Sequence, residues 1–193
     1  MNVLHAQLFF ATLGVAVLAF VLVLIVISIA SVRVPTARDL LVALSPAGLA
    51  LAAMIAITCM FGSLYFSESA HYLPCTLCWY QRIVMYSLAV ILTIAAFRRD
   101  RAVRVYVLPL AGIGIIISSY HYLLERFPQL DTGVCNTTIP CEYVWFERFG
   151  FVTLPFMALV GFVAIALLAS LPSPAMLDDE SLDNTETPLT TKE

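Results

Sequence analysis

The sequence predicts an all-α membrane protein, and two observations carry this prediction. Of the 193 residues, 61% are hydrophobic and only 12% are charged, whereas a typical soluble domain is about half apolar and about a quarter charged. The apolar residues also form runs, each with at most one charged residue, of about the length that a helix needs to cross a bilayer. This composition excludes a water-soluble globule, a disordered protein and a nucleic-acid-binding protein.

Five such runs follow one another, and each predicts one membrane-spanning helix. They cover residues 8–30, 47–66, 77–97, 105–122 and 151–171. The first run lacks a basic start and is too long for the apolar part of a typical signal peptide, so we interpret it as a retained helix. Because the segments between the runs are short, we expect the helices to pack into one bundle.

The arginines predict how this bundle is oriented. Arg33 and Arg38 lie between the first and second runs, and an arginine cluster at 98–104 lies between the third and fourth. Connections rich in arginine remain in the cytoplasm as a rule, so both of these links are expected there. The other two loops and the N-terminus would then face outward, and the C-terminus would be cytoplasmic.

The cysteines are distributed unevenly between loops and helices. Cys75 and Cys78 lie where the first outward loop leads into the third run, Cys135 and Cys141 lie in the second outward loop, and Cys59 lies within the second apolar run. Thiols on the oxidising side of a membrane are expected to form disulfides, because no cytosolic reductant reaches them. Cys59 is expected to be an inert packing residue.

The four loop cysteines admit three interpretations. Disulfides that only staple loops suit Cys135 and Cys141, which close a small ring, but a C-x-x-C ring adds little stability and is easily reduced. A zinc site could use two cysteine pairs, although the spacing of the second pair is longer than in a usual zinc knuckle. Redox exchange is favoured, because strained and exposed disulfides are the labile and catalytic ones. We therefore expect no metal.

The residues around Cys78 favour a reactive site. Cys78 falls in the first turn of the third predicted helix, where unpaired amides and a partial positive charge favour a thiolate. Arg82 follows four residues later, on the same helix face and one turn deeper. An arginine buried there is costly without an anionic partner. It either reaches a lipid phosphate or stabilises negative charge on Cys78 or on a bound electron acceptor.

Aromatic side chains are concentrated near the end of the second outward loop. They are Trp145, Phe146, Phe149 and Phe151. Aromatic residues favour the membrane interface, so we expect a short helix that lies along the outer surface.

Three motifs occur in order between residues 75 and 141. They are C-x-x-C-W-Y-Q-R at 75–82, Y-H-Y-L at 120–123 and the cysteine pair at 135–141. This set resembles the DsbB family of membrane disulfide-generating proteins, and most closely its short BdbC-type branch. The resemblance implies a four-helix transmembrane bundle of DsbB type over 47–171. An extra N-terminal transmembrane helix with a cytoplasmic link (1–46) and an acidic cytoplasmic tail without fixed structure (172–193) lie outside it.

The resemblance also implies which residues face a quinone, either ubiquinone or menaquinone. Cys75 and Cys78 would form the disulfide beside it, with Cys78 nearer to the ring. Arg82 would hold a quinone carbonyl, His121 is similar in position to a quinone-contacting histidine, and Tyr80 would belong to the same pocket.

On the water side, the resemblance implies a DsbA-like thioredoxin-fold partner. Cys135 would receive the attack of this partner, and Cys141 would resolve the mixed disulfide and exchange with Cys75. The expected protein is a quinone-dependent, disulfide-generating oxidoreductase of the bacterial cytoplasmic membrane, with its catalytic cysteines outside. The interval between Cys135 and Cys141 is far shorter than in the best-known family members, which leaves the order of exchange open.

Two other functions remain open at this point. A vitamin K epoxide reductase-like protein also pairs a C-x-x-C with a quinone, but the Trp-Tyr-Gln-Arg continuation and the order of the cysteine pairs disfavour it. A non-catalytic membrane scaffold would use its disulfides only as staples. Trapping of mixed disulfides with a partner distinguishes a catalytic protein from a scaffold.

Overall fold

A computed structural model describes residues 2–135 and 139–172, and this part of the chain is helical apart from its loops. Its five long helices are α1 (Val3–Ala30), α2 (Pro35–Leu64), α3 (Thr76–Arg98), α4 (Arg104–Arg126) and α5 (Leu154–Ala169). Shorter helical turns lie at Tyr65–Ser69, Arg101–Val103 and Pro128–Leu130. The predicted all-α class is confirmed. The predicted acidic tail lies outside the described residues, apart from Pro172.

Four helices in the described part of the chain are long and apolar enough to cross a membrane. These spans are Val3–Ala30, Pro35–Ser69, Thr76–Arg98 and Arg101–Arg126. α5 is also apolar but has only 16 residues, which gives it a length of about 24 Å against a hydrocarbon core of about 30 Å. The bundle of membrane helices predicted from the sequence is confirmed.

The second helix begins earlier than the sequence predicts. It starts at Pro35, which suits the first turn of a helix because its missing amide would be unpaired there anyway. Pro46, which was expected to precede the helix, lies inside it. A proline within a helix removes one backbone hydrogen bond, but the leucines and alanines on both sides favour the helical backbone and continue it.

The aromatic segment before α5 is not a helix, contrary to the prediction. Phe149 and Gly150 have positive φ angles of 56° and 78°, which a right-handed helix does not contain. The backbone instead turns back, and Arg148 and Val152 pair as an isolated antiparallel bridge. α5 therefore starts later than the predicted run at 151–171.

Small residues allow the helices to approach closely. At Gly114 of α4, an added Cβ would lie 2.4 Å from the ring of Phe162 in α5. At Gly62 of α2, it would lie 2.8 Å from the ring of Phe10 in α1. Such close contacts are typical of helices packed in membranes. The main core lies between α2, α3, α4 and α5, and α1 packs on α2 and α5.

The alternating direction of the helices sorts the loops between the two ends of the bundle. The α1–α2 and α3–α4 connections share one end, and the arginines lie in these connections or in the adjoining helix turns. At this end Arg101 donates a hydrogen bond to the carbonyl of Ser45. The α2–α3 and α4–α5 connections share the other end. The two loops that carry the paired cysteines therefore lie at the same end of the bundle.

Candidate active site

The first cysteine pair lies at the start of α3. Cys75 is the N-cap residue, and its Sγ atom accepts a hydrogen bond from the backbone amide of Cys78 at 3.3 Å. The two residues are free thiols with their sulfurs 2.8 Å apart, and a disulfide needs about 2.05 Å. A small movement would therefore close the pair. The sequence led us to expect the helix-start thiolate at Cys78, but the sulfur that accepts the amide is that of Cys75.

The second cysteine pair forms a disulfide between Cys135 and Cys141. Cys141 is buried and packs in one small cluster with Cys75, Leu77 and Leu124. Cys135 lies against this cluster and is only partly buried. The two loops therefore bring both pairs together, with Cys75 and Cys141 as the buried members.

His121 of α4 lies between the two pairs. Its Nε2 atom is 3.1 Å from the carbonyl oxygen of Cys141 and 3.6 Å from the Sγ atom of Cys75. Its Nδ1 atom is 2.9 Å from the side-chain nitrogen of Gln81. An amide nitrogen can only donate, so Nδ1 accepts and the ring proton lies on Nε2, from which it points toward Cys141 and Cys75.

The surroundings of Cys75 lower the pKa of its thiol below the usual range. The largest cause is the hydrogen bond from the Cys78 thiol, His121 and the Cys78 amide act in the same direction, and burial opposes them. The thiolate is the nucleophile in disulfide exchange. In the reduced pair, Cys75 is therefore the sulfur that holds negative charge near neutral pH.

A cavity of about 290 Å³ opens beside Cys78 among the membrane helices. Four helices contribute to its lining: Phe10, Leu13, Gly14 and Val17 of α1; Leu51, Met54, Ile55, Thr58, Cys59, Gly62 and Ser63 of α2; Cys78, Gln81, Arg82, Met85 and Tyr86 of α3; and Leu154, Met157, Ala158, Val160, Gly161 and Phe162 of α5. Its walls are mainly apolar, and Arg82 is the charged residue among them. A largely apolar pocket with few polar groups is typical of a small-molecule or cofactor site.

Arg82 brings a buried positive charge to this cavity. It is 9% exposed, and it donates hydrogen bonds to the hydroxyls of Tyr86 at 3.0 Å and Ser67 at 3.1 Å. The guanidinium also lies 4.8 Å from the ring centroid of Trp79. It forms no ion pair with any described residue. Because its partners are neutral, the cavity is the place where an anionic or electron-rich group would compensate its charge.

Three residues singled out from the sequence have other surroundings than expected. Neither His121 nor Tyr80 lines the cavity, and Tyr80 is exposed. Contact of these two residues with a quinone stays a prediction. Cys59 does line the cavity, at the α2–α5 contact, where a Cβ added to Gly161 would lie 3.0 Å from its sulfur.

The site also brings three possible metal ligands together. The ligand atoms of Cys75, Cys78 and His121 lie within 4.8 Å of one another. Zinc would need a further ligand to complete a tetrahedral site, and oxidation of the cysteine pair would remove two of the three. The same atoms are better suited to a redox pair with a neighbouring hydrogen-bond donor.

The residues that hold the two cysteine loops together are not apparent from the sequence. The ring of Tyr72 in the α2–α3 loop stacks on Phe66 and on Trp145 of the α4–α5 loop, with centroids 5.6 and 4.6 Å away. Its hydroxyl accepts a hydrogen bond from the side chain of Gln7 at 2.6 Å. The aromatic residues are visible in the sequence, but their partners are too distant along the chain to be assigned from it.

Fold and site together define a membrane thiol-disulfide oxidoreductase, with two cysteine pairs in contact at one end of a helical bundle. The sequence model of the family described as "Disulfide bond formation protein DsbB" matches residues 45–172. The chain belongs to the DsbB family, as its motifs predicted.

Relatives of the short branch are similar over most of their own length. Disulfide bond formation protein C of Bacillus subtilis is 47% identical over 120 residues, which cover 61% of this chain and 86% of that protein. A probable disulfide formation protein C of Halalkalibacterium halodurans is 46% identical over 119 residues, covering 61% and 87%. A probable disulfide formation protein of Oceanobacillus iheyensis is 42% identical over 115 residues, covering 58% and 79%. No solved structure matches the chain.

Proposed function

We propose that the protein reoxidises the dithiol of a DsbA-like thioredoxin-fold oxidase and passes two electrons to a membrane quinone. The order of the sulfurs carries this proposal. Cys141 packs with Cys75, the sulfur of Cys75 is 2.8 Å from that of Cys78, and Cys78 lines the cavity. Electrons that enter at Cys135 therefore have a route to a site among the membrane helices.

The first exchange takes place at the second loop. The thiolate of the reduced partner bonds to the Sγ atom of Cys135, the Cys135–Cys141 bond breaks, and Cys141 leaves as a thiolate. Cys135 is the natural target because it is the less buried of the two. The second thiol of the partner then attacks the mixed disulfide, so the partner leaves oxidised and Cys135 is free again.

The second exchange transfers the electron pair to the start of α3. The Cys141 thiolate bonds to Cys75 of the oxidised first pair, the Cys75–Cys78 bond breaks, and Cys78 becomes a thiolate beside the cavity. Cys135 then attacks Cys141, which restores the second disulfide and releases Cys75 as a thiolate. The Nε2–H of His121 points at Cys75 and stabilises this leaving group.

The residues that line the cavity fit a quinone. The volume of about 290 Å³ is close to the lower end of the range for small-molecule pockets, about 300 to 1,000 Å³. Its apolar walls suit a ring and an isoprenoid side chain. A quinone such as ubiquinone or menaquinone takes up two electrons and two protons, the amount that one dithiol releases. Arg82 holds a fixed positive charge where negative charge would develop, in surroundings that strengthen its effect.

The cysteine loops are proposed to face the outside of the bacterial cytoplasmic membrane. The arginines of the α1–α2 and α3–α4 links lie at the opposite end of the bundle, and such links are retained in the cytoplasm. Residues 47–171 would form the catalytic domain, and the C-terminus would be cytoplasmic. Electrons then enter from an oxidising compartment, where the partner works.

Turnover by the full chain in quinone-loaded lipid nanodiscs tests this function. Addition of a reduced thioredoxin-fold dithiol should form one quinol for each partner disulfide, and Cys78→Ser should abolish quinol formation. When the Cys141→Ala variant is mixed with the oxidised partner, the partner should remain bound to it through a mixed disulfide on Cys135. A non-catalytic scaffold would form neither the quinol nor the mixed disulfide. Absence of quinol with the wild-type protein, or unchanged turnover of Cys78→Ser, would overturn the proposal.

A further inference from the structure

α1 lies outside the family match, which starts at residue 45, yet it forms part of the cavity wall. Its lining residues are Phe10, Leu13, Gly14 and Val17. This spacing places them on one face of the helix, along about 10 Å of its axis. The remainder of α1 is largely exposed and apolar, as expected for a surface in contact with lipid.

This face of α1 packs against the helices that supply the other walls. The ring of Phe10 fills the space beside Gly62 of α2 and lies 5.5 Å from the ring of Phe66. A Cβ added to Gly14 would lie 3.1 Å from the side chain of Met157 in α5. α1 therefore covers the α2–α5 side of the cavity, which would otherwise open to the membrane.

A buried polar side chain connects α1 to both cysteine loops. Gln7 donates to the hydroxyl of Tyr72 at 2.6 Å, and its carbonyl oxygen accepts a hydrogen bond from Arg148. Tyr72 precedes the first cysteine pair and Arg148 lies between the second pair and α5. These hydrogen bonds fix the position of α1 relative to the two loops that carry the cysteine pairs.

The two helices α3 and α1 contribute different kinds of lining to the cavity. α3 supplies Cys78, Gln81 and Arg82, whereas the lining residues of α1 are all apolar. Along α2 the lining extends from Ser63 to Leu51, about 18 Å of helix. This length exceeds what a quinone ring alone would need, and it suits an attached hydrocarbon chain.

We propose that α1 binds the isoprenoid side chain of the quinone and selects for quinones that carry one. This inference rests on the proposed function, because it assigns the ring to the α3 end of the same cavity. Leu13 and Val17 are then specificity residues. Filling the cavity at either position should disfavour the side chain by steric overlap and leave the ring site in place.

Direct binding tests this assignment without turnover. The probes are a 1,4-naphthoquinone with a chain of two isoprene units and menadione, which has the same ring without the chain; the matching benzoquinone pair is titrated alongside. Trp145 lines the cavity, so quenching of tryptophan fluorescence reports binding by the full chain in nanodiscs.

Leu13→Phe and Val17→Phe narrow the cavity. Leu22→Phe and Val23→Phe are matched controls, because both residues are 54% exposed and lie outside the cavity.

The expected result is a difference between the two probes. Both cavity variants should weaken binding of the prenylated quinone by about fivefold or more and that of the chain-free quinone by less than about twofold. The controls should bind like the wild type. If one cavity variant does not fold, the other gives the same comparison. Equal loss for both probes, or no loss relative to the controls, overturns the role of α1. Failure of the wild type to bind either quinone would overturn the proposed function itself.

Discussion

The Sγ atom of Cys75 accepts a hydrogen bond from the backbone amide of Cys78, so one member of the C-x-x-C pair is also the N-cap of α3. The backbone donors at a helix start favour negative charge. The His121 ring and the Cys78 thiol act in the same direction on Cys75. Reduction of the pair therefore leaves a thiolate where the helix stabilises it.

The midpoint potential of the Cys75–Cys78 pair should depend weakly on pH in the neutral range. The pKa of Cys75 is lowered, so the reduced pair binds one proton fewer at every pH above this pKa. The potential should fall by about 30 mV per pH unit above the lowered pKa and by about 59 mV per unit below it. As the pH falls through this pKa, Cys75 is protonated and its stabilising contribution to the reduced pair is lost.

Thiol trapping at defined potentials, in protein that lacks Cys135 and Cys141, measures this slope. A slope of about 59 mV per unit up to pH 8 would show that the Cys75 pKa is not lowered.

His121→Leu should move the change of slope to higher pH, by about one unit. The substitution removes a hydrogen bond to Cys75 that lowers its pKa, and one such bond has a free energy of about 1 kcal/mol. His5→Leu is the control, because His5 is exposed on α1. An identical pH profile for the two variants would contradict the role of His121.

Arg82→Gln should weaken quinone binding or its reduction rate by about 1 to 3 kcal/mol, the range for a charge-assisted contact. The reason is loss of the buried positive charge at the cavity. Quinone titration and stopped-flow kinetics measure the two effects. Arg126→Gln is the control, because Arg126 is 34% exposed and paired with Glu147. Equal behaviour of the two variants would exclude Arg82 from the acceptor site.

Gln7→Leu should lower the free energy of unfolding by about 1 to 3 kcal/mol, because Arg148 and the Tyr72 hydroxyl lose a buried partner. Thermal unfolding in detergent measures the change. Gln7→Glu keeps an acceptor for Arg148 and should recover at least part of the loss. If Gln7→Leu unfolds at the wild-type temperature, the connection between α1 and the loops has no energetic role.

The membrane helices and the position of the C-x-x-C pair are predictable because they depend on local features. Long apolar runs with at most one charged residue mark the spans, and Cys78 and Arg82 are close enough in sequence for helical spacing to place them on one face. The early start of α2 at Pro35 is less visible, since Pro46 has the appearance of a boundary. α5 is shorter than its apolar run because the loop before it turns back on itself.

Contacts between distant segments could not be predicted from one sequence. His121 is recognisable in its motif, but its contacts with Gln81 and Cys141 depend on how α3, α4 and the second loop pack. The apolar face of α1 shows no charge or motif that would link it to a cavity. Gln7 is visible only as a polar residue near the start of an apolar run, and its partners come from the two loops.

The most direct test of the relay is a disulfide map of two reciprocal double variants after mild oxidation. Cys78→Ser with Cys135→Ser leaves Cys75 and Cys141, which pack in one cluster, and should form a Cys75–Cys141 disulfide that mass spectrometry detects. Cys75→Ser with Cys141→Ser leaves Cys78 and Cys135 and should form far less, because Cys78 lines the cavity. Unpaired Cys75 and Cys141 in the first variant, or equal crosslinking in both, would contradict exchange between the pairs.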